Sequence, residues 1–184
     1  MIVHFDAKKA TQIAAVLLRF EDGKMEHLRL LKLLYIADRE SLKETGRTIS
    51  QSRATAMDHG PLSSDVYALI NGERLDERLW SEFIHKHGHS VFLKSDPGRS
   101  DLSKYEIGKL NEVSERFEAL STWQLADKTH EFDEWLNNKP VPGSSKPIPI
   151  GAILDAIGLS LTSKQGIMDE LQDKAAIDRL FADA

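Results

Sequence analysis

The sequence contains no cysteine among its 184 residues. This absence excludes disulfides, zinc sites built on thiolates and cysteine nucleophiles, and it is typical of a protein from the reducing cytoplasm. The apolar runs are also far shorter than the roughly 18 residues that a membrane-spanning helix needs. The first residues, MIVHFDAKK, lack the basic segment and apolar core of a secretory signal. We therefore expect a cytoplasmic protein without membrane contact.

The sequence also lacks the excess of positive charge and the phosphate-binding motifs that mark common functional classes. Its 24 Lys and Arg residues are outnumbered by 29 Asp and Glu residues, which gives a formal net charge of -5. This balance disfavours nucleic acid as a partner, because proteins that coat nucleic acid carry an excess of positive charge. Neither a G-x-G-x-x-G nor a G-x-x-x-x-G-K-[ST] phosphate loop is present. We therefore expect no cofactor.

What the sequence does contain is a dense series of helix signals. Hydrophobic residues make up 41% and charged residues 29% of a chain that has the length of one typical domain. Apolar residues recur at three- and four-residue spacing, and Ser103 and Ser121 each open a capping box. The segment FIHKHGHSVFL instead predicts a hairpin around His87-Gly88. We predict a mainly α fold, a single compact domain of about seven helices with one small β-hairpin.

The stretch from Met25 to Ala37 is apolar almost all round, which predicts the central, buried helix of the fold. Its cationic exceptions fall on one side at helical spacing, and we expect that side to face solvent or a partner: Arg29, Lys32, Arg39 and Lys43. Further along, Asp58-His59-Gly60-Pro61 is typical of a turn, because proline fixes φ and glycine permits a positive φ. Residues 137–149 are rich in Pro, Gly and Ser and predict a loop.

Three histidines in the predicted hairpin are the best candidates for a metal site. In an extended strand His85 and His87 would lie on the same face, which is a spacing that metal sites use. A turn at His87-Gly88 breaks this geometry, and neither cysteine nor a nearby group of carboxylates supports it. We therefore expect a polar hairpin tip, which includes His89, and no metal.

Thr129 and His130 form a polar pair within a predicted helix that runs from Ser121 toward Trp135. A structural role explains them, because Thr129 can donate to a carbonyl of the preceding turn and His130 can make one buried hydrogen bond. Trp123 and Trp135 are explained most simply as core or loop-covering aromatic residues.

The order of these segments resembles the Panacea domain of SocA-type antitoxins and phage-associated GepA-like proteins. That family has a Lys-Leu-Leu-Tyr helix, an aromatic-Gly-Pro-Val turn, a helix with Val-Tyr, a Leu-Ser helix start, a Thr-His pair and a Trp. The corresponding residues, spread from Met25 to Gly158, are Lys32–Tyr35, His59–Leu62, Val66-Tyr67, Leu120-Ser121, Thr129-His130 and Trp135. His59 replaces the usual aromatic residue, and Leu62 replaces Val. We predict a Panacea-like helical domain at 1–158. The last helix lies outside the family pattern, and we predict that it forms a C-terminal helical extension packed on that domain at 159–184.

The resemblance also implies a function. Such a protein is an antitoxin of a bacterial or phage toxin–antitoxin system, a non-enzymatic protein that neutralises a cognate toxin encoded nearby by direct binding. Some members are expected to act as adaptors that deliver the toxin to an ATP-dependent protease. The residues that we expect to bind the partner come from the central helix, the Gly-Pro turn and the Thr-His pair: Arg29, Lys32, Tyr35, Arg39, His59, Gly60, Pro61, Thr129 and His130.

Two other functions stay open on the sequence. A small hydrolase would use Asp58 and His59 with Ser63 or Ser64 as nucleophile, although no G-x-S-x-G elbow is present. An acid–base pair with strongly shifted pKa values in a deep cleft would favour this enzyme. A DNA-binding autoregulator would need a basic recognition helix, and its candidate is the cationic side of a helix that is otherwise too apolar to enter a groove.

Overall fold

The computed structural model describes residues 5–182, with side chains up to residue 177. Within this part the chain forms nine helices: α1 (Ala7–Phe20), α2 (His27–Thr45), α3 (Ser64–Ile70), α4 (Arg78–Ser81), α5 (Lys104–Arg116), α6 (Thr122–Thr129), α7 (Asp133–Leu136), α8 (Ile150–Ala156) and α9 (Leu161–Ala182). It also forms six strands: β1 (Lys24–Glu26), β2 (Ala54–Met57), β3 (Gly60–Ser63), β4 (Ile84–His87), β5 (Ser90–Leu93) and β6 (Lys146–Ile148). No helix of the described part has the length and apolar character to cross a membrane.

The strands form two antiparallel sheets of three strands each, with the orders β1-β5-β4 and β3-β2-β6. Helix accounts for 54% and strand for 13% of the residues. The fold is therefore mixed α/β. The prediction of a mainly α domain of about seven helices with one small hairpin is wrong.

The second sheet has a weak sequence signal. Its strands read ATAM, GPLS and KPI, and glycine and proline ordinarily disfavour strands. Pro61 is tolerated because β3 is an edge strand, in which it lies opposite Ala56. Gly60-Pro61 is thus part of a strand, and the turn before it consists of Asp58 and His59. Strand β6 pairs with β2 from within residues 137–149, where a loop was predicted.

The hairpin predicted in FIHKHGHSVFL is confirmed as β4 and β5. Ile84 lies opposite Leu93, and His87 lies opposite Ser90. Its turn lies at Gly88-His89, one residue later than predicted. Strand β1 adds to the free edge of β5, with Met25 opposite Val91. Met25 therefore belongs to a strand and not to the central helix.

Helix α2 is the buried centre of the fold, as predicted. Leu30, Leu31, Leu33 and Leu34 are at most 1% exposed. Helices α1, α5 and α6 and strand β3 pack around it. A 19-residue helix with so little exposed surface buries its apolar side chains against neighbouring elements on several sides. It therefore sets the position of every neighbouring element.

The two predicted capping boxes are present at the starts of α5 and α6. The Ser103 hydroxyl accepts from the backbone N–H of Glu106, and the Ser121 hydroxyl accepts from that of Gln124. The helix from Ser121 is shorter than predicted, because it ends at Thr129 and the separate helix α7 carries Trp135. These caps fix the point at which α6 begins, close to the hairpin of β2 and β3.

Helix α9 contacts the rest of the chain through a few side chains. Ala175 is buried, Lys174 Nζ donates to Gln51 Oε1 at 2.7 Å, and Glu170 pairs with Arg47. Most other described side chains of α9 are exposed or half-buried. The division at residue 158 stays a prediction, and its residues 1–4, 183 and 184 lie outside the described part.

Removal of a large side chain from α2 should destabilise the protein strongly. Leu31→Ala and Leu34→Ala should each lower the free energy of unfolding by about 2–5 kcal/mol, because both side chains are fully buried and leave a cavity. Denaturant melts measure this loss. Leu75→Ala is the matched control, since Leu75 is fully exposed and its loss should cost less than about 0.5 kcal/mol. Losses below about 1 kcal/mol for both α2 variants would contradict a central position of this helix.

Candidate partner-binding site

On the cationic side of α2, Lys43 is exposed, but Arg29 and Lys32 do not face solvent. Arg29 and Lys32 are 6% and 0% exposed. Arg29 pairs with Glu21 and donates to the carbonyl oxygens of Phe117 and Leu120 at 3.1 and 2.6 Å. It thereby joins α2 to the junction of α5 and α6. The helical periodicity of the sequence placed these cations on one side of α2, but it could not show that this side packs against other elements.

Arg39 and Tyr35 meet at Glu134, a carboxylate that the sequence reading missed. The Glu134 side chain is fully buried and accepts from Arg39 Nε at 2.7 Å and from Tyr35 Oη at 3.1 Å. The guanidinium of Arg39 also lies 4.4 Å from the ring centre of Phe132. Burial, together with the Glu134 carboxylate, raises the pKa of Tyr35 well above its ordinary value. This cluster fixes α7 against α2.

Lys32 lies against strand β3, and its Nζ donates to the carbonyl oxygen of Pro61 at 2.7 Å. Burial lowers the pKa of Lys32 to about 7. Gly60 is required at this contact, since its φ is +94° and a Cβ would lie 2.8 Å from Lys32 Nζ. The same Cβ would overlap Thr129 Oγ1 and lie 3.1 Å from His130 Cδ2. The structure thus brings together five of the nine predicted residues: Lys32, Gly60, Pro61, Thr129 and His130.

The Thr-His pair lies at the end of α6. Thr129 Oγ1 donates to the carbonyl oxygen of Ala126 at 2.7 Å, as predicted. His130 does not make the predicted hydrogen bond through Nε2, which is buried and has no partner among the described residues. Its ring instead stacks on Trp135 with 4.4 Å between ring centres. Burial and the nearby Lys32 lower the pKa of His130, and Asp127 partly opposes them.

A cavity of about 610 Å³ lies beside this cluster and is termed the hairpin cavity. Its walls come from Glu26 of β1, the start of α2, the β2–β3 hairpin, Tyr67 of α3, the β4–β5 turn, the start of α6 and residues 143–144. Lys32 and Gly60 line it, so the cluster forms part of its wall. Trp135 Nε1 donates to the carbonyl oxygen of Met57 at 3.0 Å and holds the hairpin against α7. The cavity is therefore built on a fixed frame.

His59 and Trp123 lie together at the hairpin cavity. Their ring centres are 5.1 Å apart in an edge-to-face arrangement. Trp123 is 59% exposed, so it is not the core or loop-covering residue that was expected. Trp135, by contrast, is buried. An exposed Trp is a common anchor of protein–protein contacts, and its place as the second residue of a capped helix was a signal that could have identified it.

Tyr35 and Arg39 line a different cavity, of about 700 Å³, beneath α9. Its other walls come from β2, β6 and α8. The predicted site residues are therefore divided between two places. Lys32, His59 and Gly60 line the hairpin cavity, whereas Tyr35 and Arg39 face the space that α9 covers.

The residues proposed for a hydrolase take structural roles. Asp58 Oδ2 accepts from the backbone N–H of Gly143 at 2.7 Å, and His59 contacts Trp123. The Ser64 hydroxyl donates to the carbonyl oxygen of Arg53 at 3.0 Å. These contacts do not join a nucleophile, a base and an acid. Nothing in this arrangement resembles the relay that a hydrolase needs.

The hairpin histidines are also in contact with other rings. His85 stacks on Phe92 at 4.9 Å and His89 stacks on His27 at 5.9 Å between ring centres. Within the described residues no group of three or more His, Cys, Asp or Glu side chains is placed to hold a metal ion. The proposed DNA-recognition face is lost as well, because Arg29 and Lys32 are buried and Arg39 pairs with Glu134.

Replacement of Lys32 should change how stability depends on pH. The pKa of Lys32 is about 7 in the folded protein and near the ordinary 10.5 in the unfolded chain. Between these values the unfolded chain binds more protons. The wild-type free energy of unfolding should therefore rise with pH by up to about 1.4 kcal/mol per unit relative to Lys32→Met. Below the folded pKa the difference should be constant.

Urea denaturation at about pH 6, 7, 8 and 9 measures this difference. Lys43→Met is the control, since Lys43 lies on the same helix but is exposed. Its profile should run parallel to that of the wild type. A Lys32→Met profile that is also parallel would show that the buried amine does not lose its proton in this range.

A model of the family described as Antitoxin SocA-like, Panacea domain matches residues 30–136. Comparisons with curated proteins and with solved structures give no significant match. The matched segment is more than half of the chain and includes the whole cluster around Gly60. It confirms the resemblance seen in the sequence, and the family description indicates a general antitoxin role. The chain belongs to the SocA-like antitoxin family and carries its Panacea domain.

Proposed function

We propose that the protein neutralises a toxin encoded beside it by direct, stoichiometric binding. Family membership supports the class of partner. The observation that carries the proposal is the hairpin cavity with an exposed Trp at its edge. An aromatic anchor beside a preformed concave surface is the usual composition of a tight protein–protein contact.

The surface is rigid before it meets the partner. Lys32 holds Pro61, and Trp135 holds Met57, so the β2–β3 hairpin is fixed from both sides. A fixed surface loses little conformational entropy when it binds. We propose that His59, Gly60 and Pro61 contact the toxin together with Trp123.

The other predicted site residues act differently in this proposal. Arg29 and Arg39 have their charges satisfied inside the protein, by Glu21 and Glu134. We therefore propose that these two residues position α6, α7 and the hairpin rather than pair with an acidic patch on the toxin. We propose the same positioning role for Tyr35, Thr129 and His130.

Substitutions at the edge of the hairpin cavity should weaken toxin binding. Trp123→Ala should lower the affinity about 30-fold or more, since a central Trp commonly contributes 2 kcal/mol or more. His59→Ala should lower it less, because His59 supports the Trp123 ring from the side. The measurements are co-purification and rescue of growth with the product of the neighbouring open reading frame.

Leu75→Ala provides the matched control, as an exposed apolar residue that does not line the cavity. It should rescue growth as well as the wild type. Wild-type rescue by both Trp123→Ala and His59→Ala would move the interface elsewhere. If the wild-type protein binds no neighbouring product, the antitoxin proposal itself fails.

Delivery of the toxin to an ATP-dependent protease is the second form of this proposal. Direct neutralisation leaves the toxin intact in a stable complex, whereas delivery shortens its lifetime. The toxin half-life in cells with and without the antitoxin separates the two, and deletion of the protease should restore the half-life only in the second case. Helix α9, with its exposed Leu161 and Ile177, is the element to remove when delivery is tested.

A further inference from the structure

Lys32 differs from the other cations in the interior of this protein. Buried Arg29 pairs with Glu21, half-buried Arg39 pairs with Glu134, and buried Lys109 pairs with Glu44 at 2.8 Å. Lys32 is fully buried, yet its one polar contact is the Pro61 carbonyl oxygen, and no carboxylate of the described residues reaches it. Buried charges are ordinarily paired, because an uncompensated charge in the interior is costly. The site thus holds a cation-forming group without a counter-charge.

A second polar group next to Lys32 is also without a partner. The buried Nε2 of His130 makes no hydrogen bond within the described residues. A Cβ added to Gly60 would lie 3.1 Å from Cδ2, the ring carbon bonded to this nitrogen, and 2.8 Å from Lys32 Nζ. The great majority of buried polar atoms in proteins are hydrogen-bonded, so an exception calls for an explanation. A cation without a counter-charge and a ring nitrogen without a hydrogen bond thus lie near the same glycine.

The hairpin cavity has the size and lining of a ligand site. Its volume of about 610 Å³ lies in the range of small-molecule sites, which are mostly apolar with a few polar groups. Leu28, Leu31, Leu62 and Tyr67 supply apolar wall, and Lys32 is part of the same wall. A purely structural role for Lys32 would explain its hydrogen bond to the Pro61 carbonyl oxygen. It would not explain a cavity of this size beside a buried cation that has no counter-charge.

We propose that the hairpin cavity binds a carboxylate group on an apolar body, with the Lys32 ammonium as its counter-charge. The apolar part of the ligand would lie against the leucines and Trp123. The carboxylate can come from a free organic acid or from an acidic side chain of the toxin. The second source rests on the proposed function, whereas the first does not.

Several other titratable groups surround Lys32 and the cavity. They come from β1 and α2, the two hairpin turns, α6 and the segment after α7: Glu26, His27, Asp58, His59, His89, Asp127 and Lys139. Asp58 is already bonded to the backbone of Gly143. Burial lowers the pKa of His27 and of His130, so a change in binding above neutral pH would report the protonation of Lys32.

The first arm of the test uses small acids on the intact protein. Calorimetry and NMR titration should show that benzoate binds and that benzamide, its neutral analogue, binds at least tenfold more weakly. Because the pKa of Lys32 is about 7, benzoate affinity should fall by up to tenfold per pH unit above neutrality, with uptake of one proton. Lys32→Met should bind at least tenfold more weakly and lose this pH slope, and Lys43→Met should behave as the wild type.

The second arm uses the product of the neighbouring open reading frame. If the toxin supplies the carboxylate, its affinity for the wild type should fall above neutral pH, and its affinity for Lys32→Met should be lower and independent of pH. Toxin binding that is unchanged by Lys32→Met leaves the antitoxin proposal intact and assigns the cavity to a free acid, provided that the first arm succeeds.

The proposal is overturned if benzoate and benzamide bind equally or not at all and toxin binding shows no dependence on Lys32. If Lys32→Met does not fold, the wild-type pH slope and proton uptake decide the matter, since neither requires a variant.

Discussion

Helix α2 carries a lysine into the interior of the protein, where its Nζ donates to the Pro61 carbonyl at 2.7 Å. This hydrogen bond constrains the positions of the β2–β3 hairpin and the end of α6. The hairpin must come close enough for the bond, which only glycine at position 60 permits, and the end of α6 closes the other side with Thr129 and His130. An amine buried so completely has no water to satisfy it, so the surrounding backbone must do so.

Other polar side chains of α2 also hold neighbouring elements in place. Arg29 satisfies the carbonyl oxygens at the end of α5, and Arg39 and Tyr35 hold Glu134 at α7. One helix therefore organises the β2–β3 hairpin, the α5–α6 junction and α7. A charged side chain that is buried and fully bonded orients its neighbours more strictly than an apolar one, because its hydrogen bonds have direction.

This organisation explains how the described part of the chain forms a defined site. The hairpin cavity is shaped by residues from seven parts of the chain, which are held in place by bonds to α2 and α7. Trp123 and His59 are exposed at this frame and are not needed to fill the core. A preformed surface of this kind loses little conformational entropy when it binds a partner.

Local signals in the sequence determined a substantial part of this structure. The apolar pattern identified α2 as the central helix, the Ser-Glu and Ser-Gln boxes set the starts of α5 and α6, and the alternation around Gly88 marked one hairpin. The combination of short motifs indicated the family. These features depend on residues within a few positions of one another, so periodicity and capping chemistry suffice to find them.

Only the tertiary structure decided the rest. Strands β2, β3 and β6 are stabilised by pairing with segments far along the chain, and their own residues favour turns or loops. Periodicity placed Arg29, Lys32 and Arg39 on one side of a helix, but their surroundings depend on Glu21, Pro61 and Glu134. Exposure of Trp123 and burial of Lys32 are likewise properties of the packed fold, because each is set by what other elements cover.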